Sequence, residues 1–403
     1  MHRALLWILA CASCLLLLYE GTTLIGSVWR PLLANPQSIQ TDYHYYDGAA
    51  RRFAAGGALY IATDDVIAGF AYPPPAIVPF LVLSRLPLGV GLLVMSLASY
   101  AVVLIAIRAW LSFLRRHDYR IDAPSEWAIL LIALGLGPTY MNAVFGQVNA
   151  FVLGAAVGYA TLAAPTAGTV LALGILLKIY PALLAASAVW DTRARRAVMW
   201  AALAAAVIVI VLLPVVPWAN YGAYLDVLRT RGDKTAIHII NQSLTAFLER
   251  FGYPAAQFLN WTGQDAVTVA LPIRVLNAVA ALAGVLVCWV RARQGRTPES
   301  VAGLMALIAV VAPLGWGHAY VMVLPLLALQ LASLERLSTA MAAVVCISVC
   351  AFMVPAGRHM GLLDALPAAL QNLAYSRYLL ATLVLLLPAP TSERVAVRYD
   401  RAA

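Results

Sequence analysis

Apolar runs of about 20 residues recur along the whole chain and are separated by short polar stretches. As a helix, a run of this length crosses roughly 30 Å of hydrocarbon. We therefore expect an all-α polytopic membrane protein of about ten transmembrane helices, forming a single integral membrane domain over residues 1–403. The predicted crossings lie near 4–25, 88–110, 126–141, 147–163, 197–216, 272–290, 301–313, 319–334, 338–355 and 375–390.

Two apolar segments do not fit a simple crossing. Residues 75–86 are too few to span and lie between proline-rich ends, which favours a half-helix entering from the outer face. Residues 169–190 are interrupted at Lys178-Ile179-Tyr180-Pro181 and are followed by three arginines. This pattern predicts a re-entrant hairpin with both ends in the cytoplasm. Pro181 would begin the returning half, and Lys178 would lie at the buried tip.

Composition and charge agree with a bilayer location. Of 403 residues, 63% are hydrophobic and only 11% are charged, whereas soluble domains carry about 25% charged residues. The formal net charge is +9, but the basic residues gather in short loops between apolar runs. This is the positive-inside pattern, so the charge indicates orientation in a membrane and no nucleic-acid partner. The loops placed in the cytoplasm hold Arg3, Arg108, Arg115, Arg116, Arg120, Arg193, Arg195, Arg196, Arg291, Arg293, Arg296, Arg394, Arg398 and Arg401.

This orientation puts two long loops outside the cytoplasm, at residues 26–75 and 218–271, and leaves residues 391–403 as a cytoplasmic tail. The acids, histidines and most loop tyrosines are concentrated in the outer segments. A site built from such groups would therefore face outward. In the first outer loop, Asp42 precedes an apolar stripe of Tyr43, Tyr46, Ala50 and Phe53, whose spacing predicts a helix along the membrane surface.

Several short motifs along the chain occur in an order that resembles glycosyltransferase family 87 over roughly residues 40–330. They are Asp42-Tyr43, Tyr45-Tyr46, Ala49-Ala50, Gly57, Leu59-Tyr60, Phe70-Ala71-Tyr72-Pro73-Pro74, Gly146-Gln147-Val148-Asn149, Leu177-Lys178-Ile179-Tyr180-Pro181, Asn241-Gln242-Ser243-Leu244, Trp316-Gly317-His318 and Leu324-Pro325. The ordered set is far more specific than any one member. One departure from the family is Ala319, because members often have a second histidine beside the equivalent of His318.

The resemblance implies a GT-C-like bundle of transmembrane helices in the cell membrane. Family members most similar to this chain transfer mannose from a polyprenyl-phosphate carrier, with inversion. The implied activity is therefore transfer of a sugar, above all mannose, to a lipid or glycan acceptor on the extracytoplasmic face. The rival hypothesis is a transporter or flippase of a lipid-linked sugar. Transporters tend to show internal repeats and polar groups near the midplane, and neither is visible here.

Glycosyl transfer needs a base for the attacking hydroxyl. Asp42 is the candidate supported by the resemblance, although an aspartate directly before a helix is also a favourable N-cap. His318, after a turn containing Pro313, Gly315 and Gly317, is an alternative base or a hydrogen-bond donor to phosphate. A histidine in a turn is more often an ordinary polar surface residue.

Lys178 is the most unusual residue on physical grounds, because an ammonium in apolar sequence costs about 3 kcal/mol unless it is paired or hydrated. It would bind the donor phosphate, or else it would reach the cytoplasmic surface or pair with Glu20. Further candidates for binding the donor are Gln147, Asn149, Tyr72, Asn241 and Arg274. The amides suit sugar hydroxyls but equally suit helix packing, and Arg274 is equally suited to anchoring at the interface.

The sequence predicts no cofactor and no obligate metal. Asp64-Asp65 is adjacent and does not match the Asp-x-Asp pattern of metal-dependent nucleotide-sugar transferases. A lipid donor with a single phosphate also has less need of a metal. The five cysteines lie within apolar runs, which favours small core residues over a disulfide framework or a zinc site.

Overall fold

The computed structural model describes residues 2–35, 41–61, 69–260, 266–358 and 360–387. Over these ranges the fold is helical apart from one short antiparallel sheet, β1 (Lys234–Ala236) with β2 (Ala266–Thr268). The α-helices are α1 (His2–Thr23), α2 (Arg30–Ala34), α3 (Asp42–Ala54), α4 (Ile77–Leu83), α5 (Leu88–Arg115), α6 (Ala123–Leu134), α7 (Gly137–Phe145), α8 (Asn149–Thr161), α9 (Ala164–Leu177), α10 (Thr192–Leu212), α11 (Ala219–Arg231), α12 (Leu244–Glu249), α13 (Ala255–Leu259), α14 (Leu271–Arg293), α15 (Thr297–Val311), α16 (Leu324–Ala332), α17 (Thr339–Met353), α18 (Ala368–Tyr375) and α19 (Arg377–Leu385). A π-helical turn, Leu24–Trp29, joins α1 to α2.

Four continuous helices in the described ranges are long and apolar enough to cross a membrane. They are His2–Ala34, Leu88–Arg115, Thr192–Leu212 and Leu271–Arg293. A fifth results if α6 and α7, bent by 49°, form one span. The predicted count of about ten is not confirmed, since several predicted crossings are shorter apolar helices. Prolines and glycines explain part of this, because the turn Pro313–Gly317 separates α15 from the next helix.

Basic loops gather at one end of the molecule. Arg3 pairs with Glu335 at 2.6 Å and lies 3.5 Å from Asp122, while Arg115 pairs with Glu126. Such exposed ion pairs contribute little stability, typically about 0–1 kcal/mol. They do show that the start of α1, the end of α5 and the start of α6 lie together. We call this region the basic end.

The segment Ala164–Val189 follows the path predicted for the hairpin. α9 runs away from the basic end and stops at Lys178, whose backbone is extended. A 3-10 helix, Tyr180–Val189, then returns, and its Ser187 hydroxyl lies 2.7 Å from the Tyr159 hydroxyl near the end of α8. Lys178 is therefore at the tip of the hairpin. Its depth in a bilayer stays a prediction.

The first predicted outer helix exists, but its apolar stripe contacts protein. Tyr43, Tyr46 and Ala50 of α3 are buried, and the Tyr46 ring lies 4.8 Å from that of Phe80 in α4. The stripe therefore packs against protein, and the position of α3 along a membrane surface stays a prediction. The N-cap of α3 is Thr41, so Asp42 is the first helical residue and not the cap.

Asp64-Asp65 and the tail 391–403 lie outside the described residues.

Candidate active site

A cavity of about 550 Å³ opens at the end of the molecule remote from the basic end. α5 connects the two regions, because its N-terminal turn contacts Tyr43 of α3 while its C-terminal Arg115 lies at the basic end. Its 28 residues correspond to a length of about 42 Å. The start of α3, the α7–α8 junction, the tip of the hairpin and the 3-10 helix Gly317–Val323 meet at the cavity.

Gln147 and Asn149 reach this region through a tight turn. α7 ends at Phe145, and Gly146 has left-handed backbone angles, φ 64° and ψ 36°. The Gln147 N–H then donates to the Asn142 carbonyl at 2.9 Å. Glycine favours this helix ending because it has no Cβ. α8 begins at Asn149, so the two amides lie on either side of the helix start.

A hydrogen-bonded network links the side chains at this junction. Gln147 Nε2 donates to Asp42 Oδ2. Lys178 Nζ donates to Asn149 Oδ1 at 2.9 Å, and Asn149 Nδ2 lies 2.7 Å from His318 Nδ1. His318 Nε2 lies 3.7 Å from Asp42 Oδ2, which connects the two sets of contacts. Asp42 and His318, 276 positions apart in sequence, are thus neighbours.

The ammonium of Lys178 determines the protonation pattern of this network. An ammonium can only donate, so the Asn149 carbonyl oxygen must face Lys178 and the Asn149 NH₂ must face His318. His318 Nδ1 therefore accepts, and the neutral ring carries its proton on Nε2, the atom that faces Asp42. Rotating the Asn149 amide would put two donor groups against each other at the Lys178 contact.

Burial and the charge of Lys178 also shift the pKa values of His318 and Asp42. Burial lowers the pKa of His318 well below its usual value, and Lys178 lowers it further, so the imidazole is neutral at neutral pH. Burial raises the pKa of Asp42, an effect that the Gln147 hydrogen bond and Lys178 oppose. The Asp42 side chain keeps 31% exposure. It lines the cavity and is therefore accessible to a substrate.

Tyr72 lines the cavity beside these groups. Its hydroxyl donates to Gln147 Oε1 at 3.3 Å and lies 2.6 Å from the Tyr46 hydroxyl. The Lys178 ammonium lies 5.3 Å from the centre of the Tyr72 ring and 5.4 Å from that of Tyr180, which is the cation–π range. The two rings therefore partly replace the hydration that Lys178 lost.

Asn241 does not line the cavity. Its side chain is fully buried, and Nδ2 donates to the Ala236 carbonyl at 2.8 Å and to the Pro313 carbonyl at 3.2 Å. The Asn241 amide therefore packs the turn that precedes His318 and does not face a sugar. Arg274 is likewise outside the cavity, on the exposed face of α14.

The contacts of Lys178 match neither of its two predicted structural roles, which were to reach the cytoplasmic surface or to pair with Glu20. Lys178 is 8% exposed and lies at the end of α9 remote from the basic end, so it does not extend toward that surface. Its hydrogen-bond partner is Asn149 and not Glu20. Both carboxyl oxygens of Glu20 are buried in α1 without a hydrogen-bond partner among the described residues.

The backbone next to Asn241 holds the His318 turn in place. The Gln242 N–H donates to the Gly315 carbonyl, and the Gly317 N–H donates to the Ile240 carbonyl, both at 2.8 Å. On the other side of the turn, Asn142 Nδ2 donates to the His318 carbonyl at 2.6 Å. Hydrogen bonds to the main chain of the turn on both sides therefore hold His318 in place.

A buried arginine holds the backbone segment that contacts this turn. Arg250 donates to the Asn241 carbonyl at 2.8 Å, to Asn372 Oδ1 at 2.7 Å and to Ser376 Oγ at 2.8 Å. These contacts connect the second long loop to α18 and α19. Arg250 is thus a structural residue, although its charge and position in the loop would also suit a substrate ligand.

Sequence reasoning missed one wall of the cavity. Tyr224, Val227, Leu228 and Arg231 of α11 line it, together with Lys234 of β1. The first four lie at i, i+3, i+4 and i+7, the spacing of a single helical face. That periodicity was available in the sequence, but α11 follows a proline-rich turn in a polar loop and carries no family motif.

Within the ranges that the structure describes, no three His, Cys, Asp or Glu side chains are grouped to hold a metal ion. Metal independence remains a prediction, tested below with a chelator.

Comparison with known proteins relates this chain to glycosyltransferases. The sequence model of glycosyltransferase family 87 matches residues 70–314, more than half of the chain. A polyprenol-phosphate-mannose-dependent alpha-(1-2)-phosphatidylinositol mannoside mannosyltransferase of Mycobacterium tuberculosis is 26% identical over 347 residues, covering 80% of this chain and 75% of the relative. A polyprenol-phosphate-mannose-dependent alpha-(1-2)-phosphatidylinositol pentamannoside mannosyltransferase of Mycolicibacterium smegmatis is 28% identical over 312 residues, covering 74% and 71%.

The α7–α8 turn can be tested by two glycine substitutions. In Gly146→Ala the new Cβ would lie 2.7 Å from Leu92 Cδ1 and 2.8 Å from Tyr43 Cβ. Gly56 also has positive φ, but a Cβ there meets nothing within 4 Å. Both substitutions carry a left-handed backbone cost of about 1–2 kcal/mol, and only Gly146→Ala adds overpacking of about 1–3 kcal/mol. We expect the larger fall in Tm at position 146, measured in detergent. Equal falls would contradict the described packing of the turn.

Proposed function

The chain belongs to glycosyltransferase family 87, and we propose that it transfers mannose from a polyprenyl-phosphate carrier to a lipid or glycan acceptor, with inversion at the anomeric carbon. The observation that carries the proposal is the network of contacts among Asp42, His318, Asn149 and Lys178 at the cavity. The names of the two mycobacterial relatives, both polyprenol-phosphate-mannose-dependent mannosyltransferases, suggest the donor. No observation favours the alternative of a transporter or flippase.

Asp42 is the proposed general base. His318 carries its proton on Nε2 and is neutral, so the ring nitrogen facing the cavity is a donor and cannot accept a proton. Asp42 reaches the cavity, and the hydrogen bond from Gln147 Nε2 orients its carboxyl group. Burial raises the pKa of Asp42, which makes its carboxylate a stronger base than that of an ordinary aspartate. His318 acts as a donor that orients Asp42 or the incoming hydroxyl.

The reaction then balances as a single displacement. The acceptor hydroxyl oxygen attacks the anomeric carbon while its proton passes to a carboxylate oxygen of Asp42. The bond between the anomeric carbon and the phosphate oxygen breaks, and polyprenyl phosphate leaves with the bonding electrons. In such an inverting step the base and the leaving group lie on opposite faces of the sugar.

The proposed location is the cell membrane, with the cavity facing away from the cytoplasm. The four or five candidate spans support a membrane location. The orientation follows from the basic end, because arginine-rich loops favour the cytoplasmic side and the cavity lies at the other end of α5.

Asp42→Asn should abolish turnover while the protein remains folded. Thr41 caps α3, so the cap is untouched, and asparagine can still accept the Gln147 hydrogen bond. The expected loss is on the order of 10²-fold or more in kcat, because only the basic carboxylate is removed. Transfer of radiolabelled mannose from a polyprenyl-phosphate donor to a total lipid extract measures this, with Tm as the folding control.

His318→Ala is the companion variant, for which we expect a smaller loss. A dead His318→Ala beside a near-wild-type Asp42→Asn would move the base to His318. Wild-type rates in both would mean that the chemistry happens elsewhere.

Transfer from the polyprenyl-phosphate donor should persist in EDTA. The donor has one phosphate, and the described site offers cations and hydrogen-bond donors in place of a metal. The measurement compares initial rates after EDTA treatment with and without added Mg²⁺ or Mn²⁺. Activity that appears only with a nucleotide sugar and a metal ion would overturn the donor assignment.

A cysteine at Asp226 should be labelled from outside intact cells by a membrane-impermeant maleimide, because this exposed residue lies on α11 beside the cavity. Arg196→Cys, exposed at the start of α10, is the control and should label only after the membrane is opened. Both would be made in a variant whose five native cysteines are replaced. The reverse pattern would invert the orientation.

A further inference from the structure

Lys178 is poorly placed to hold the leaving phosphate. Its ammonium donates to Asn149, faces the rings of Tyr72 and Tyr180, and acts on the charges of both Asp42 and His318. It is therefore part of the network around the base. An inverting displacement puts the leaving phosphate on the other face of the sugar from the base. A second cationic group is needed there, since the phosphate gains negative charge as the bond breaks.

Two further cations line the same cavity, on the wall built by α11 and β1. They are Arg231, in the last turn of α11, and Lys234, in β1. Lys234 makes no ion pair within the part of the chain that the structure describes. α11 and β1 carry none of the network residues Asp42, Asn149, Lys178 and His318, so these two cations belong to a different wall of the cavity.

The neighbouring basic residues His238, Arg250 and Arg229 do not offer a free positive charge to a phosphate in the cavity. Burial and the charge of Arg250 lower the pKa of His238 to about 4, so this cavity-lining imidazole is neutral. Arg250 itself is turned toward backbone carbonyls, Asn372 and Ser376. Arg229, two residues before Arg231, points outward and pairs with Asp226 at 3.0 Å.

The face of α11 that precedes these cations is apolar. Tyr224, Val227 and Leu228 lie on the cavity side at helical spacing, and Arg231 follows one turn later. An apolar stripe that ends in cationic groups matches an amphipathic ligand with a hydrocarbon part and a phosphate. The same arrangement offers nothing extra to free inorganic phosphate, which has no hydrocarbon to bury.

We propose that Lys234 and Arg231 bind the phosphate of the lipid donor, with the first isoprene units against Tyr224, Val227 and Leu228, while Lys178 serves the base. This inference rests on the proposed function, because it assigns the donor's phosphate to one wall of the proposed site. It also replaces the assignment of the donor phosphate to Lys178. The predicted roles of the two lysines are therefore different and separable.

The test is binding of short-chain polyprenyl phosphate, the released product, to the full-length protein purified in detergent. Lys234→Met should weaken binding on the order of tenfold or more, because one charge-assisted hydrogen bond is lost. Lys234→Arg should retain most of the affinity. Lys178→Met should bind the lipid phosphate nearly as wild type but lose kcat. Arg229→Ala, on the outer face of the same helix, is the matched control and should change neither quantity.

The outcomes separate this inference from the proposed function. Wild-type affinity in Lys234→Met with lost affinity in Lys178→Met would overturn the inference while leaving the donor assignment intact. Failure of the wild-type protein to bind polyprenyl phosphate would instead sink the proposed function.

Two controls identify the ligand that Lys234 serves. A raised KM for the acceptor alone in Lys234→Met would assign the cations to an acceptor phosphate and overturn the proposal. Inorganic phosphate at equal concentration should not displace the lipid, and equal competition would overturn the role of the apolar stripe. Should Lys234→Met lower Tm, Lys234→Gln and Arg231→Gln provide the same comparison.

Discussion

The contact between the buried Lys178 ammonium and the Asn149 carbonyl oxygen is the interaction on which the site depends. Because an ammonium has no acceptor, this one contact orients the Asn149 amide, and the amide then selects the tautomer of His318. The histidine presents a donor to Asp42. The Lys178 charge thus determines that the His318 nitrogen facing Asp42 is a donor and not an acceptor. It does so through Asn149 and not through a hydrogen bond of its own to Asp42.

Such a network needs a rigid frame, since partly satisfied buried polar groups are costly. The frame comes from segments distant in sequence. Backbone bonds from Ile240 and Gln242 hold the turn before His318, and Arg250 ties that same segment to α18 and α19. Asn241, which from sequence resembles a sugar ligand, belongs to this frame. Its buried position shows that a motif residue can support the candidate site through packing alone.

Much of this arrangement was predictable from local pattern. The apolar runs predicted a helical membrane protein, and the interruption at Lys178 and Pro181 predicted a hairpin whose path the structure follows. Six of the eight predicted site residues lie together, namely Asp42, Tyr72, Gln147, Asn149, Lys178 and His318. Predictions that depended on exact helix limits fared worse. The count of ten crossings is not confirmed, and Thr41 replaces Asp42 as the cap of α3.

The sequence by itself determined the class of molecule, because apolar length and arginine placement are properties of single segments and need no partner. It also determined which residue types are available near each loop. Only the tertiary structure decided their roles, since the direction of a hydrogen bond and the face of a helix depend on which distant group lies opposite. Lys178 meets Asn149 and not Glu20, and Lys234 enters the cavity wall from a strand that carries no motif. Those pairings arise from packing between segments, which no local spacing encodes.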